Sequence, residues 1–118
     1  EIWIGYRSGV GASRLDRKSG VIKHFRHDAA SAQSVSGLGG QTSISALYED
    51  KSSAVWLGAY TADRWSGEGN VFTHFPVLPG QIVPITAFAE DKRGGFWVGS
   101  AFGISLLDRT SGKVERFI

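Results

Sequence analysis

Cysteine is absent from this chain of 118 residues. Its absence excludes disulfide frameworks, thiol chemistry and cysteine-based metal sites, and it suits the cytoplasm and the periplasm equally. No basic run exceeds two residues, and 13 basic against 11 acidic side chains leave a net charge of only +2. A nucleic-acid partner is therefore not supported. No apolar stretch approaches the roughly 20 residues that span a bilayer, so the chain is not itself membrane-spanning by helices. No signal-peptide pattern is present. The chain opens directly on strand-like Ile2-Trp3-Ile4, which reads as a piece of something longer or a processed product. Gly-x-Ser-x-Gly, a phosphate loop and His-Glu-x-x-His are missing, and no segment sustains helical periodicity.

What is present is repetition. Ile44-Ser45-Ala46-Leu47-Tyr48-Glu49-Asp50-Lys51 leads to Trp56-Leu57-Gly58, and Ile85-Thr86-Ala87-Phe88-Ala89-Glu90-Asp91-Lys92 leads to Trp97-Val98-Gly99, 41 residues later. A second pair lies 92 residues apart: Gly11–Phe25 and Gly103–Phe117 share Gly, Ser, Leu, Asp, Arg, Ser, Gly and Phe in order. Periods near forty mark stacked units that cannot bury an apolar face alone.

Each complete unit holds four short strand signals, a to d, bounded by turn residues. In the last copy strand a is Ile85 to Glu90, b is Phe96 to Ser100, c is roughly Ile104 to Leu107, and d is Lys113 to Ile118. The turns start on Asp91 and Asp108, which cap backbone N–H groups, and end on Gly. The division is a partial unit over 1–25, a unit over 44–75 and a unit over 85–118, eleven strands in all. The first unit lacks strand a. Small residues along strand a (Ser45, Ala46, Ala87, Ala89) suit the crowded axis of a radial array. The fold class is therefore all-β, a β-propeller fragment of about three four-stranded antiparallel blades. Trp3, Trp56 and Trp97 are expected between blades, each indole packed over bare glycine backbone of the adjacent sheet.

These residues resemble the two-component regulator propeller repeat. Its unit reads Ile-Thr-Ala-Leu-x-Glu-Asp-x-x-Gly-x-Leu-Trp-Val-Gly-Thr, then Gly-Leu-x-x-Leu-Asp, then Thr-Gly-x-Phe. Residues 85–99 and 103–117 match nearly throughout, 44–58 match well, and 3–25 match from strand b onward. The resemblance implies a periplasmic sensor region of a bacterial receptor with a histidine kinase, hybrid or diguanylate cyclase output. It implies no catalysis and no cofactor, and it makes a polysaccharide fragment or other small ligand a possible partner. An interaction scaffold, or a fragment of a propeller lyase or glycosidase, is the alternative. Three blades cannot close a ring, since propellers use about 4–8. Self-association, or the rest of a longer propeller, would have to complete it.

The second unit departs from the pattern. Tyr60 stands where Gly11 and Gly103 are expected, Trp65 replaces Leu15 and Leu107, and Ser66-Gly67-Glu68-Gly69-Asn70 replaces the Asp-Arg-x-Ser-Gly turn. Length variation gathers in the b–c and d–a connections, which share one face of the disc. Binding residues concentrate on loops held by a rigid scaffold. The candidate ligand-binding residues are accordingly Tyr6, Arg7, Tyr60, Arg64, Trp65 and Phe102.

His24, His27 and Asp28 have a metal-like spacing, but His24 and His74 hold a repeat position that Arg116 also occupies. A position that accepts His or Arg reads as a solvated outer-strand site, so no metal is expected. Glu49-Asp50 and Glu90-Asp91 recur at the same turn, which argues for turn capping over acid–base work. The stretch 34–42, rich in Gly, Ser and Gln, reads as a mobile connection.

Overall fold

The computed structural model describes residues 1–118 except 29, 30, 32, 33, 38–41, 68, 69, 79, 82 and 118. Eleven strands follow in order: β1 (Ile2–Gly5), β2 (Ala12–Leu15), β3 (Ile22–Phe25), β4 (Ala46–Glu49), β5 (Val55–Gly58), β6 (Ala62–Trp65), β7 (Phe72–Phe75), β8 (Ile85–Glu90), β9 (Phe96–Ser100), β10 (Gly103–Leu107) and β11 (Val114–Arg116). They form three antiparallel meanders: β1-β2-β3, β4-β5-β6-β7 and β8-β9-β10-β11. We call these blades 1, 2 and 3. The described residues hold no helix, so none is long and apolar enough to cross a membrane.

The blades stack through two apolar layers. Between blades 1 and 2 lie Ala12, Phe25, Val35, Ile44, Leu57, Ala59 and Phe72, flanked by Trp3, Val55 and Trp65. Between blades 2 and 3 lie Trp56, Ala62, Phe75, Val77, Val83, Ile85, Phe96, Val98 and Leu107. The strand period of two explains the division. Trp56 faces blade 3 while Leu57, the next residue, faces blade 1.

Trp3 and Trp56 sit between blades, as the repeat predicts. Trp97 does not. It occupies the same position in blade 3, whose corresponding face meets no fourth blade here. It is half-buried and packs on Phe117 at 5.3 Å. The glycine of the Trp-x-Gly strand also works differently from expectation. The inner strand of the next blade fills its space, and no indole does. A Cβ on Gly5 would stand 2.5 Å from Ile44 Cγ2, and one on Gly58 would stand 2.9 Å from the Ile85 carbonyl oxygen. Ile44 and Ile85 thus plug into glycine sockets on the preceding blade, which bulkier residues would close.

Two smaller corrections follow from the register. Trp65 pairs with Val55 as Leu107 pairs with Phe96, so Trp65 does replace Leu15 and Leu107. Counting back four residues, Thr61 holds the place of Gly11 and Gly103, and Tyr60 lies one residue earlier. The connection over 26–43 is also not loose where it is described. Val35 and Thr42 are fully buried. Thr42 pairs with Val10 in a parallel bridge and bonds Gly9 and Gly11 through its backbone. Residues 38–41 of that stretch lie outside the described set, as do 68 and 69 of the blade 2 turn and Ile118 at the end of strand d.

Candidate functional site

The meander topology places the β1–β2, β5–β6 and β9–β10 connections on one face of the arc, together with the links between blades. These connections carry Tyr6, Arg7, Tyr60 and Phe102. In blades 1 and 2 these backbones are pinned to the following blade. Ile44 N–H donates to the Tyr6 carbonyl at 2.9 Å, Ile85 N–H to Ala59 at 2.8 Å, and Val83 N–H to Tyr60 at 3.3 Å. In blade 3 the hold is internal: the Phe102 N–H donates to Ser100 Oγ at 3.2 Å and its carbonyl accepts from Arg116 at 3.1 Å.

The side chains differ in freedom. Tyr6 is half-buried, and its hydroxyl accepts a hydrogen bond from Ser13 Oγ at 3.3 Å. Tyr60 is half-buried above Ser36, whose Oγ accepts both the Tyr60 and the Thr61 N–H. Phe102 is 58% exposed. Arg7 is exposed and borders an open cleft of about 260 Å³ with Gly5 and residues 44–47.

Arg64 and Trp65 belong elsewhere. Arg64 lies over Phe75 at 5.0 Å and Trp56 at 5.5 Å, and donates to the Arg109 carbonyl at 3.3 Å. Trp65 meets Trp3 edge-on at 5.0 Å, carries Arg14 on its face at 4.9 Å and donates to Asn70 at 3.3 Å. Both serve packing between blades. The extra bulk of Trp65 over leucine fills space beside Trp3, a packing role that an off-pattern aromatic in one unit does not disclose.

Beneath the same face lies a polar cluster that sequence reasoning missed. Asp63 is fully buried. It accepts the Ser36 N–H at 2.6 Å and the Thr61 hydroxyl, and it sits 2.8 Å from His74 Nδ1. The equivalents of Asp63 in the other blades are Ser13 and Ser105. His74 is therefore half-buried on a carboxylate, which corrects the solvated reading of that position. The exposed His24 contacts Ser13 Oγ at 2.6 Å, and His27 Nδ1 lies 3.0 Å from the Val35 carbonyl. One serine-to-aspartate change within a repeat was the available signal. The cluster ties the 26–43 connection to blade 2 and thereby fixes Tyr60.

The opposite face holds the repeated acidic turns. Asp50 accepts N–H groups of Ser52 and Ala54, the Ser52 hydroxyl and the Trp56 indole. Burial pushes its carboxyl up, but the bonds from Ser52, Trp56 and Ala54 prevail and hold it below the usual range. In Asp91 the Trp97 indole and then the Gly95 N–H lower the carboxyl. Glu90 is not a turn cap. It reaches back to blade 2, accepting the Tyr48 hydroxyl at 3.1 Å and the Lys51 N–H at 2.9 Å. Arg109, stacked on Phe96 at 4.7 Å, donates to Glu90 at 2.9 Å and to Asp50 at 3.0 Å. Burial raises Glu90, yet Arg109, Lys51 and Tyr48 together bring it down. Every one of these carboxylates is saturated by fixed donors, which suits a structural clamp. Among the described residues no three His, Cys, Asp or Glu side chains stand together as a metal site.

Radially stacked antiparallel meanders of three or four strands, joined through glycine sockets and aromatic layers, define a β-propeller segment. The comparisons with known proteins agree. Residues 79–102 match the family described as Two component regulator propeller. A solved structure from B. thetaiotaomicron, the extracellular domain of a hybrid two component system, superposes with a TM-score of 0.73 over 98% of this chain at 17% identity. The match spans 16% of that protein, so this chain corresponds to a small part of its length. At that identity the likeness concerns the fold. No functionally curated protein matches the chain.

Proposed function

We propose that this chain is a non-catalytic segment of the sensor propeller of a bacterial two-component receptor. It lies outside the cytoplasmic membrane and offers the face bearing the b–c connections to a small carbohydrate-like ligand. The repeat match at 79–102 and the extracellular propeller of similar fold support the sensor setting. One observation carries the ligand reading: each blade presents an aromatic from its b–c connection, and Phe102 is held largely in solvent. An aromatic face exposed on a pinned backbone suits stacking against the apolar face of a sugar ring.

The test is calorimetric titration of the chain with a panel of oligosaccharides. At least one should bind, and Phe102→Ala should weaken it roughly tenfold, the effect of about 1.4 kcal/mol. Unchanged affinity in Phe102→Ala, or no binding across the panel, would sink the ligand reading.

A further inference from the structure

Blade 2 has a neighbour on each side, and its departures from the repeat gather at one cleft. The cleft opens between the β4–β5 and β6–β7 turns, on the face opposite the b–c connections. It holds about 500 Å³, and its polar and aromatic lining is Ser52, Ser53, Arg64, Trp65, Ser66 and Thr73. Blade 3 has the equivalent cleft, of about 490 Å³. There the register puts Arg93, Asp108, Arg109 and Glu115 where blade 2 has Ser52, Ser66, Gly67 and Thr73. Charges of both signs have given way to hydroxyls and a glycine. Among the described residues no carboxylate lines the blade 2 cleft.

Backbone strain marks the same place. Among the described residues only Ser53 (φ 70°) and Asn70 (φ 52°) combine a side chain with a left-handed backbone. Their counterparts in blade 3 are Gly94 (φ 84°) and Gly112 (φ 79°). Glycine adopts that conformation freely, and a residue with a Cβ does so only at a cost. Asn70 has a local reason, since its Oδ1 accepts the Trp65 indole N–H at 3.3 Å. Ser53 has none. Its N–H donates to the Asp50 carbonyl at 2.9 Å, as that of Gly94 does to Asp91 at 3.2 Å, so the turn closes equally well with glycine. Its exposed hydroxyl bonds to no described residue. Strain retained without a structural return points to a role in binding.

We infer that the blade 2 cleft is a second binding site, separate from the b–c face, for a neutral mono- or disaccharide. Its volume falls within the roughly 300–1,000 Å³ of small-molecule sites. The lining offers donors and acceptors together, which matches a ligand made of hydroxyls. The Ser53 and Thr73 hydroxyls are free in both senses. Ser66 Oγ accepts the Val71 N–H at 3.2 Å and keeps its proton to donate. Ser52 spends its proton on Asp50 at 2.6 Å and keeps its lone pairs to accept. Arg64 is held in place over Phe75 and Trp56 and gives the Arg109 carbonyl one of its five N–H groups, so donors remain for the ligand. Trp65, fixed by Asn70, supplies apolar wall.

The experiment records amide and indole NMR spectra of the chain while neutral mono- and disaccharides are titrated in, one at a time. At least one sugar should shift the Ser53, Ser66, Gly67 and Thr73 amides and the Trp65 indole N–H saturably. Ser53→Gly should weaken that sugar about fivefold or more through the lost hydroxyl, and should raise the thermal midpoint by removing the strain. A residue with a purely structural role would not move the two readouts in opposite directions. Thr73→Val should weaken the same sugar by a similar factor. Phe102→Ala should leave it unchanged, so this site and the b–c face stand or fall separately. A panel in which no sugar shifts these amides overturns the inference. So does a panel that shifts only the Tyr60 and Phe102 amides, or a Ser53→Gly chain that binds the sugar as tightly as the parent.

Discussion

The Trp56 indole N–H donates to Asp50 Oδ2 across 2.9 Å, and the two residues lie at opposite ends of one tight turn between β4 and β5. Trp97 and Asp91 repeat the contact at 2.8 Å. This link gives the six-residue Asp-to-Trp spacing its reason. The carboxylate caps the turn with one oxygen and anchors the principal aromatic with the other. Asp50→Ala should cost roughly 3 kcal/mol, since it also leaves the Arg109 guanidinium without one of its two carboxylates. Urea unfolding of the variant checks this. A loss below about 0.5 kcal/mol, the level of an ordinary surface change, would show that the turn does not depend on the link.

The position of the repeated tryptophans predicts unequal effects from identical substitutions. Trp56 is fully buried between two blades, whereas Trp97 faces the open end of the arc. Trp56→Ala should destabilise by roughly 3–5 kcal/mol. Trp97→Ala should cost clearly less. Equal losses in denaturant titration would mean that Trp97 is covered in solution.

The glycine sockets give a similar contrast. Gly58→Ala would press a methyl to 2.9 Å from the Ile85 carbonyl and 3.0 Å from Ala46 Cβ, and should cost about 1–3 kcal/mol. Gly99→Ala meets nothing nearer than 3.4 Å, because no blade follows blade 3 here. Its thermal midpoint should stay close to that of the parent. A Gly58→Ala protein as stable as the parent would contradict tight socket packing.

The blades were legible in the sequence because they repeat. Turn residues, apolar alternation and the Trp-x-Gly strands recur at one spacing, and all eleven strands appear where that spacing puts them. The missing inner strand of blade 1 was legible for the same reason. What repetition hides is direction. Trp97 and Trp56 are the same residue in the same motif, and only the count of neighbouring blades separates a half-buried from a buried indole. Departures from the repeat were harder still. Trp65 broke the pattern and, like Arg64, invited a ligand reading, but both side chains fill an interface. Asp63 departs by one residue and is fully buried, paired with His74 across a strand pair that sequence order alone does not reveal.

Acid should unfold this chain earlier than its modest charge suggests. Asp50, Glu90 and Asp91 are held below their usual range in the folded state, as are Asp16 and Asp108 by the Lys18 and Thr110 N–H groups. The unfolded chain then binds protons first as pH falls. Stability from these groups is complete above the unfolded carboxylate range, near pH 4, and is lost as pH drops through the lower folded values. Urea midpoints should hold steady from pH 7 to about 5.5 and fall below it. Arg109→Gln should flatten the decline, because it removes the largest lowering influence on Glu90. A flat profile down to pH 3 in the parent would refute the assignment.

The joint between blades consists of an isoleucine entering one side of a unit and a glycine opening on the other. Both halves travel within the same forty-residue copy. A duplicated unit therefore arrives with a plug for its predecessor and a socket for its successor, and tandem copying can lengthen such an array without a new interface having to be invented. Divergence is then free to accumulate in the connections, which carry Tyr6-Arg7 in blade 1 and Tyr60-Thr61 in blade 2 while the plug and socket beneath them stay the same.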